Sequence, residues 1–415
     1  MGLACTSYRR TLMYVQTRVQ SPLKKYPPTH AALILHPNIL QASKLIIHRA
    51  ESLKAVPVWE TLQFGETPTD HMLICTYDPI NGWSNPEIKP YGPLSLDPMS
   101  SCLQYATNVF EGMKAYVGPN GNPRLFRPSR NMKRLETSVA RLALPTFDSA
   151  ELLKLIKQLV LLESRWIPDL PGYSLYIRPT IIGTRPKLSV AASNEAMLYV
   201  VLSPTGPYFP TGPKPLSLMA VSETARTWPG GTGGHKLGIN YAPALLPQQI
   251  AAEQGYDQVV WLLGEDNRIT EVGAMNVFAV VGRNDGDLDV MTPSLDGTIL
   301  PGVTRASCLE LLSAHPQKSV LPNIPPSAHI HVHERAITME ELTSWSAKGQ
   351  LHELFGVGTA VIVAPIGKIG FQNMDVVPLV HPEGFGPVAG ALMRRLSDIQ
   401  TGKSQWEDWS VELSA

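Results

Sequence analysis

Hydrophobic residues recur along the chain with two different periods, and the period changes from one segment to the next. Short alternating or continuous apolar stretches such as MLICTYD and DQVVWLL are typical of β-strands, whose successive side chains point to opposite faces. The strands predicted in this way cover residues 72–78, 108–117, 123–128, 173–183, 196–204, 215–221, 257–263, 275–281 and 288–293.

Helical spacing appears between these strands. Met132, Leu135, Val139 and Leu142 share one face of a helix that Pro145 ends. Further helices are predicted over 149–167, 241–254, 303–314 and 338–347. Strands and helices do not alternate regularly, so the predicted fold class is α+β.

A proline-rich stretch divides the chain. Residues 203–215 contain five prolines, too many for a packed element, and predict a linker between two domains. We expect an N-terminal extension over 1–55, a small α/β domain over 56–205, an interdomain linker over 206–223 and a larger domain over 224–410.

The overall charge argues for a small-molecule partner. Basic and acidic residues balance at 35 each, which gives no reason to expect nucleic acid or an anionic membrane surface as a partner.

The sequence contains no run of eighteen apolar residues, so no membrane-spanning helix is predicted. The four cysteines are scattered, and the HIHVH stretch at 329–333 alternates like one face of a strand, so no metal site is predicted.

The first fifty residues form a separate compositional region. They contain no Asp or Glu but several Arg and Lys residues, and an apolar helical stripe runs through Tyr8, Leu12, Val15 and Val19. This pattern is typical of a mitochondrial presequence. A disordered tail on a cytoplasmic protein is the alternative.

The stretch RTWPGGTGGHKLGINY places four glycines in front of Lys236. It is not a nucleotide-binding P-loop, because His235 and Leu237 stand where that motif needs a glycine and a hydroxyl. Either Lys236 is an ordinary solvated lysine, or it is a nucleophile that forms a Schiff base with a carbonyl in an enclosed site.

If the carbonyl that reacts with Lys236 belongs to pyridoxal phosphate, the protein must also bind the ring and the phosphate of this cofactor. Other segments of the sequence supply suitable groups. Glu271 lies between apolar runs, where a buried carboxylate needs a partner such as a pyridine nitrogen. Tyr241 could donate to the ring oxygen. Phosphate-binding candidates are the Arg134 side chain, the amides of Val303 and Thr304 after a Pro-Gly turn, and Thr359 in a second glycine turn.

Seven motifs then occur in the order found in one family: FEGMKAY, LFRPSRNMKRLETSVARLALP, SLYIRPTIIGTRP, WPGGTGGHKLGINYAP, ITEVGAMNVF, ILPGVTR and GTAVIVAP. Between about residue 64 and residue 400 the chain resembles the branched-chain-amino-acid aminotransferases, which are fold-type IV pyridoxal phosphate enzymes. The resemblance implies a cofactor site between a small N-terminal and a larger C-terminal domain, homodimers, and amino acids and 2-oxo acids as partners.

The resemblance also implies residue roles. Lys236 corresponds to the catalytic Schiff-base lysine, Glu271 to the partner of the pyridine nitrogen, and Tyr241 to the donor to the ring hydroxyl. Arg134, Val303, Thr304 and Thr359 correspond to the phosphate cup. The implied substrate-binding residues are Tyr105, Phe110, Tyr176, Arg178, Tyr208, Thr359 and Ala360.

The implied reaction is reversible, ping-pong amino transfer between L-leucine, L-isoleucine or L-valine and 2-oxoglutarate. The sequence departs from the family pattern at three places. Ile239 replaces a second glycine after Lys236, which predicts strain or a shifted loop if that backbone needs a positive φ. Ala274 replaces a frequent threonine, and the CxxC switch of some mammalian members is absent, so redox regulation is not expected.

Alternatives to this interpretation share the fold. They are a D-amino-acid aminotransferase, an aminodeoxychorismate lyase, a branched-chain type diverged to a secondary pathway, and a non-catalytic descendant that binds cofactor or a partner protein. The intact lysine, glutamate and tyrosine argue against the last.

Overall fold

Two large β-sheets and the helices packed on them make up the part of the chain that the structure, a computed structural model, describes. The described residues are 39–209, 212, 214–325 and 329–414. The predicted presequence therefore lies mostly outside them. The division into domains remains a prediction.

The first sheet is built almost entirely from the N-terminal half. Its strands are β1 (Ile46–Ile47), β2 (His71–Asp78), β3 (Gly82–Trp83), β4 (Glu87–Pro90), β5 (Asn108–Phe110), β6 (Met113–Val117), β7 (Pro123–Phe126), β8 (Ser174–Gly183), β9 (Ala196–Thr205) and β19 (Ser410–Glu412). Their order is β1-β4-β2-β9-β8-β6-β7-β19, with β3 on β2 and β5 on β8. The chain thus returns at its C-terminal end to the sheet with which it began.

The second sheet is built from the C-terminal half. Its strands are β10 (Leu216–Val221), β11 (Gln258–Leu263), β12 (Arg268–Val272), β13 (Asn276–Gly282), β14 (Leu288–Thr292), β15 (Ile330–Glu334), β16 (Leu351–Gly358), β17 (Ile362–Phe371) and β18 (Met374–Val376). They run in the order β12-β11-β10-β17-β16-β13-β14-β15, with β18 on β17. This mixed α and β architecture confirms the predicted fold class.

Seven α-helices occur in the described part of the chain: α1 (Ser101–Tyr105), α2 (Pro128–Arg141), α3 (Ser149–Leu162), α4 (Leu245–Glu253), α5 (Val303–Lys318), α6 (Met339–Ala347) and α7 (Pro387–Gln400). The predicted apolar face of α2 is buried through Met132, Leu135 and Val139, which join the core of the first sheet. Asp148 caps α3 by accepting from the amides of Ala150 and Glu151. No helix in this described part is long and apolar enough to cross a membrane.

One predicted strand differs from those observed. The strand predicted over 108–117 is broken at Glu111 and Gly112, because Glu111 turns its carboxylate onto the amide of Gly112 at 3.0 Å. A Cβ on Gly112 would lie 2.1 Å from the hydroxyl of Tyr176, so a larger residue there would have to displace the Tyr176 ring. The strand predicted over 215–221 does form, as β10 inside the second sheet. The interdomain linker over 206–223 overlaps this strand and remains a prediction.

The HIHVH stretch does form a strand, as its alternation predicts. His331 and His333 contact Asp287 and Asp289 at 2.9 Å and 2.8 Å across neighbouring strands. The residues that the structure describes contain no group of three or more His, Cys, Asp or Glu side chains suited to a metal ion. These histidines therefore act as cross-strand polar pairs.

One buried cation, Lys114 on β6, is costly to the fold. Only 6% of its surface is exposed, and burial lowers the pKa of its ammonium from 10.5 to about 8. The unfolded chain binds this proton more tightly. The loss of stability caused by burying the charged Lys114 is therefore fully present below about pH 8. It declines between about pH 8 and pH 10.5 and is absent above that range.

We expect Lys114→Met to raise the free energy of unfolding by about 2 kcal/mol near neutral pH, after the loss of one hydrogen bond. The gain should shrink as the pH approaches the ordinary lysine pKa. Urea unfolding of both proteins across this pH range measures it, with the exposed Lys133→Met as control. A gain that did not change with pH would contradict the assignment of the penalty to the buried charge.

Candidate active site

A cavity of about 240 Å³ lies between the two sheets and brings together residues that are far apart in the sequence. The first sheet contributes Phe110, Tyr176 and Arg178, and the second contributes Glu271 and Asn276. The predicted site residues that line it are Phe110, Arg134, Tyr176, Arg178, Tyr208, Lys236, Tyr241, Glu271, Val303, Thr304, Thr359 and Ala360. Of the predicted set, Tyr105 alone does not line it.

Lys236 enters the cavity from a loop held at its main chain by the first sheet and α2. Its amide donates to the Ser138 hydroxyl at 2.9 Å, and its carbonyl accepts from the amide of Phe110 at 3.1 Å. The side-chain Nζ lies 3.2 Å from the Tyr241 hydroxyl and 4.8 Å from the centre of the Phe110 ring. The backbone is fixed on both sides, so the amine is presented to the cavity in a defined position.

The glycines around Lys236 are required for close packing more than for unusual dihedral angles. A Cβ on Gly233 would lie 2.2 Å from the carbonyl oxygen of Thr298, and one on Gly238 would lie 2.0 Å from the Asn108 side chain. Ile239 lies in the short 3₁₀ helix Gly238–Asn240 and has no positive φ. The condition on which strain or a shifted loop was predicted at this residue is therefore not met, because the loop turns here with a helical backbone that any L-residue adopts.

Glu271 is the buried carboxylate of the cavity, with 2% of its surface exposed. It forms an ion pair with Arg226 and accepts from the amide of Leu300 at 3.1 Å and from Asn276 at 3.2 Å. Burial raises the pKa of the Glu271 carboxyl, and the nearby Arg226 guanidinium opposes that rise. The carboxylate thus has the partners that its burial requires.

Sequence reasoning missed Arg226 and Asn276. The sequence predicted that a buried Glu271 needs a partner. Arg226 lies 45 positions away from Glu271, and no local pattern distinguishes it from the other arginines. Arg226 also begins the glycine-rich stretch around Lys236. Its position there was the one available signal.

Arg134 reaches the cavity from α2 and is held by a second buried carboxylate that the sequence did not identify. Glu111 is fully buried and accepts from Arg134 Nε at 2.6 Å and Nη2 at 2.9 Å. Burial alone would raise the pKa of the Glu111 carboxyl, but the Arg134 charge and hydrogen bonds more than offset this and lower it. Glu111 therefore orients Arg134 in a bidentate pair.

We expect Glu111→Gln to cost about 3 kcal/mol in the free energy of unfolding, because it leaves the Arg134 charge buried without its counter-ion. Chemical denaturation measures the loss. The exposed pair on the same helix, Lys133 with Glu136, gives the matched control: Glu136→Gln should change stability by less than about 0.5 kcal/mol. Equal small effects for both variants would contradict the proposed importance of the buried pair.

Two turns supply backbone groups at the opposite wall. Helix α5 begins at Val303 after Gly302, which provides no side-chain cap, so its first amides face the cavity at the positive end of the helix dipole. A Cβ on Gly302 would lie 2.0 Å from the Asn276 side chain, which makes glycine necessary at this turn. The second turn, over Thr359 and Ala360, joins β16 to β17.

Aromatic rings line the remaining wall. The Arg178 guanidinium lies 4.8 Å from the Phe110 ring and 5.1 Å from the Tyr176 ring, and it donates to the Tyr176 hydroxyl at 3.2 Å. Its Nε is buried without a partner among the described residues. Phe64, which sequence reasoning missed, stacks edge-on against Tyr176 at 4.7 Å. An apolar surface and an unsatisfied cation thus lie side by side.

Tyr105 occupies a different place. It ends α1, is 38% exposed, and donates its hydroxyl to the carbonyl of Leu188. Within this single chain it does not reach the cavity.

The chain is similar to known proteins over most of its length. A family model described as amino-transferase class IV matches residues 108–369. A mitochondrial branched-chain-amino-acid aminotransferase of Schizosaccharomyces pombe is 42% identical over 409 residues, which cover 98% of this chain and 91% of that protein. A cytosolic one of Saccharomyces cerevisiae is 44% identical over 373 residues, covering 89% and 97%.

Among solved structures, the branched-chain aminotransferase of the thermophilic archaeon Thermoproteus uzoniensis with norvaline matches with a TM-score of 0.64. It is 23% identical, and the match covers 83% of this chain and 100% of that chain, which confirms the fold. The near full-length relatives and the class IV match lead to one assignment. The chain belongs to the branched-chain-amino-acid aminotransferase family of the class IV aminotransferases.

Proposed function

We propose that this chain transfers amino groups reversibly between L-leucine, L-isoleucine or L-valine and 2-oxoglutarate, with pyridoxal phosphate bound in the cavity between the sheets. One observation carries the proposal. The amine of Lys236 shares a cavity with a phenol at 3.2 Å and with a buried carboxylate. An amine, a ring-oxygen donor and an anionic partner for a pyridine nitrogen are what this cofactor needs from a protein.

The residues present fit the cofactor. Glu271 could hold the pyridine nitrogen in its protonated form, and Tyr241 could donate to the ring oxygen. Arg134 and the uncapped amides of Val303 and Thr304 could receive the phosphate, with the Thr359 hydroxyl beside them. When bound, pyridoxal phosphate withdraws electrons from the substrate α-carbon, which makes the proton there removable.

The protein's own residues perform the proton transfer. Lys236 Nζ is the base that we assign to the substrate α-proton, since it is the amine presented to the cavity. The Tyr241 hydroxyl at 3.2 Å and the Phe110 ring at 4.8 Å position this amine. Glu271, held by Arg226, adds a carboxylate to the same cavity.

The substrate wall suits two kinds of side chain. Phe110, Tyr176 and Tyr208 offer apolar surface to leucine, isoleucine and valine, at about 0.8 kcal/mol per buried methylene. Arg178, with its unpartnered Nε and its contact to the Tyr176 hydroxyl, could receive the side-chain carboxylate of glutamate. The backbone amides of Thr359 and Ala360, which line the same cavity, could receive the α-carboxylate.

We also propose that two copies of the chain associate. Large apolar side chains remain exposed beside the lysine loop, with Trp228 54%, Leu245 66% and Leu246 65% exposed. Tyr105 is also exposed, and we propose that in such a pair it lines the cavity of the other copy. Light scattering tests this: a monomer at micromolar concentration would contradict it.

For location, we propose the mitochondrion, because residues 1–50 lack acidic residues and carry an amphipathic basic pattern. Cell fractionation with sequencing of the mature N-terminus tests it. An uncleaved chain in the cytosol would support the alternative.

The visible absorption of the purified protein tests the proposed reaction. We expect a cofactor band that bleaches with L-leucine and returns with 2-oxoglutarate, and no response to D-leucine. A response to D-leucine, or product formed from aminodeoxychorismate, would instead support one of the same-fold alternatives. A band that ignores all of these would contradict the proposed reaction and leave a branched-chain type diverged to a secondary pathway or a non-catalytic descendant.

A further inference from the structure

A second and larger cavity, of about 430 Å³, lies beside the catalytic one. The two cavities have only Tyr208, Ala360 and Val361 in common among the described residues that line them. The second cavity is formed by the β6–β7 turn, residues 168–173 and one face of α7. Apart from Tyr208 and Ala360, which were assigned to substrate binding, none of the residues given a role in the reaction above belongs to it.

Its walls are predominantly apolar. Tyr173, Ile362, Phe385 and Met393 contribute ring and aliphatic surface. The charged residues Asp169 and Lys403 are exposed and lie at the rim. Such a lining favours a compact apolar ligand.

Lys114 interrupts this apolar lining. Its Nζ donates to the carbonyl of Ala360 at 2.8 Å, and it forms no ion pair with any carboxylate of the described residues. An ammonium group has three N–H donors, so two of those on Lys114 remain for a ligand. A buried cation without an anionic partner is costly, and an anion in this cavity would offset that cost.

Gln400 gives an independent indication. It is 5% exposed, lines the same cavity, and its Oε1 is buried without a hydrogen-bond partner among the described residues. Lys114, Tyr116 and Gln400 also line one small void of about 20 Å³ together with Val303, Thr304 and Thr359, so the three residues lie close together. The amide can be rotated to present its NH₂ group instead.

We propose that this second cavity binds a small monocarboxylate with an apolar body, its carboxylate on Lys114 and Gln400 and its body against the Tyr173, Phe385 and Met393 walls. Lys114 also donates a hydrogen bond to Ala360 in the Thr359–Ala360 turn, and this turn lines the catalytic cavity. A ligand bound to Lys114 would therefore lie next to that turn. Binding at this site does not depend on the reaction proposed above.

Calorimetry tests the site with 4-methylpentanoate as the probe. The catalytic cavity is first filled with the reduced covalent adduct of pyridoxal phosphate and L-glutamate, so that the probe has only the second cavity to enter. We expect one equivalent bound per chain, and binding at least about tenfold weaker for the uncharged 4-methylpentanamide. Failure to load the adduct would count against the proposed function and is visible before any probe is added.

Two variants locate the probe. Lys114→Met removes the charge, and Ser397→Phe, on the α7 face that lines the cavity, fills the space but leaves Lys114 in place. Both should weaken binding at least about tenfold, whereas Lys403→Met at the rim should leave it unchanged. Circular dichroism and adduct loading check that each variant is folded. Wild type that binds no probe, or binding that survives both Lys114→Met and Ser397→Phe, would overturn the proposal.

Discussion

Replacement of Lys236 by alanine should lower kcat for amino transfer from L-leucine by about 10⁴-fold or more, and it should remove the visible band of covalently attached cofactor. The variant loses the amine that anchors the cofactor and also the base that moves the α-proton. Cofactor should still bind non-covalently, since Glu271, Tyr241 and Arg134 remain. Steady-state kinetics and the absorption spectrum measure the two effects.

The matched control is Lys133→Ala, which removes an exposed lysine from α2 and should leave both readouts unchanged. Borohydride reduction followed by peptide mapping gives an independent check, because it fixes the cofactor to the lysine that carries it. If the label appeared on another lysine, or if the alanine variant kept a substantial part of the activity, the assignment of Lys236 would be wrong.

Glu271→Gln should lower kcat by about 10²–10³-fold with a smaller change in KM. The amide has nearly the same shape but cannot hold a pyridine nitrogen in its protonated form. It also leaves Arg226 as a buried cation without its carboxylate, so we expect some loss of stability as well. Kinetics at saturating cofactor separate the catalytic loss from weaker cofactor binding.

A second buried glutamate provides the control for stability. Glu353 is 4% exposed, lies outside the catalytic cavity, and accepts from the amides of Val388 and Ala389 at the start of α7. Glu353→Gln should reduce stability while leaving kcat per folded chain near that of the wild type. Equal kcat losses in the two variants would show that the effect of Glu271→Gln is structural.

Several local features of the site could be predicted from sequence because their causes are local. The Pro-Gly turn before Val303 starts a helix as predicted, and the stretch around Thr359 does form a turn. The predicted spacing of Met132, Leu135 and Val139 does define the buried face of α2. In each case a periodicity or a backbone preference of a few neighbouring residues decides the outcome.

The partners of buried charges could not be predicted in this way. Arg226 with Glu271, and Arg134 with Glu111, pair across 45 and 23 positions respectively. The backbone at Ile239 shows the same limit. The sequence predicted strain or a shifted loop there only if a positive φ was needed, and the structure shows a 3₁₀ turn without a positive φ.

The sequence by itself determined the fold class, most of the strands and helices, the family resemblance and the candidate lysine, since all of these rest on local pattern or on ordered motifs. Only the tertiary structure decided which arginine neutralises Glu271, that Tyr105 lies away from the cavity of its own chain, and that Lys114 is buried in a second cavity. The physical reason is that burial and charge pairing depend on how the two sheets meet, and no short stretch of sequence contains that information.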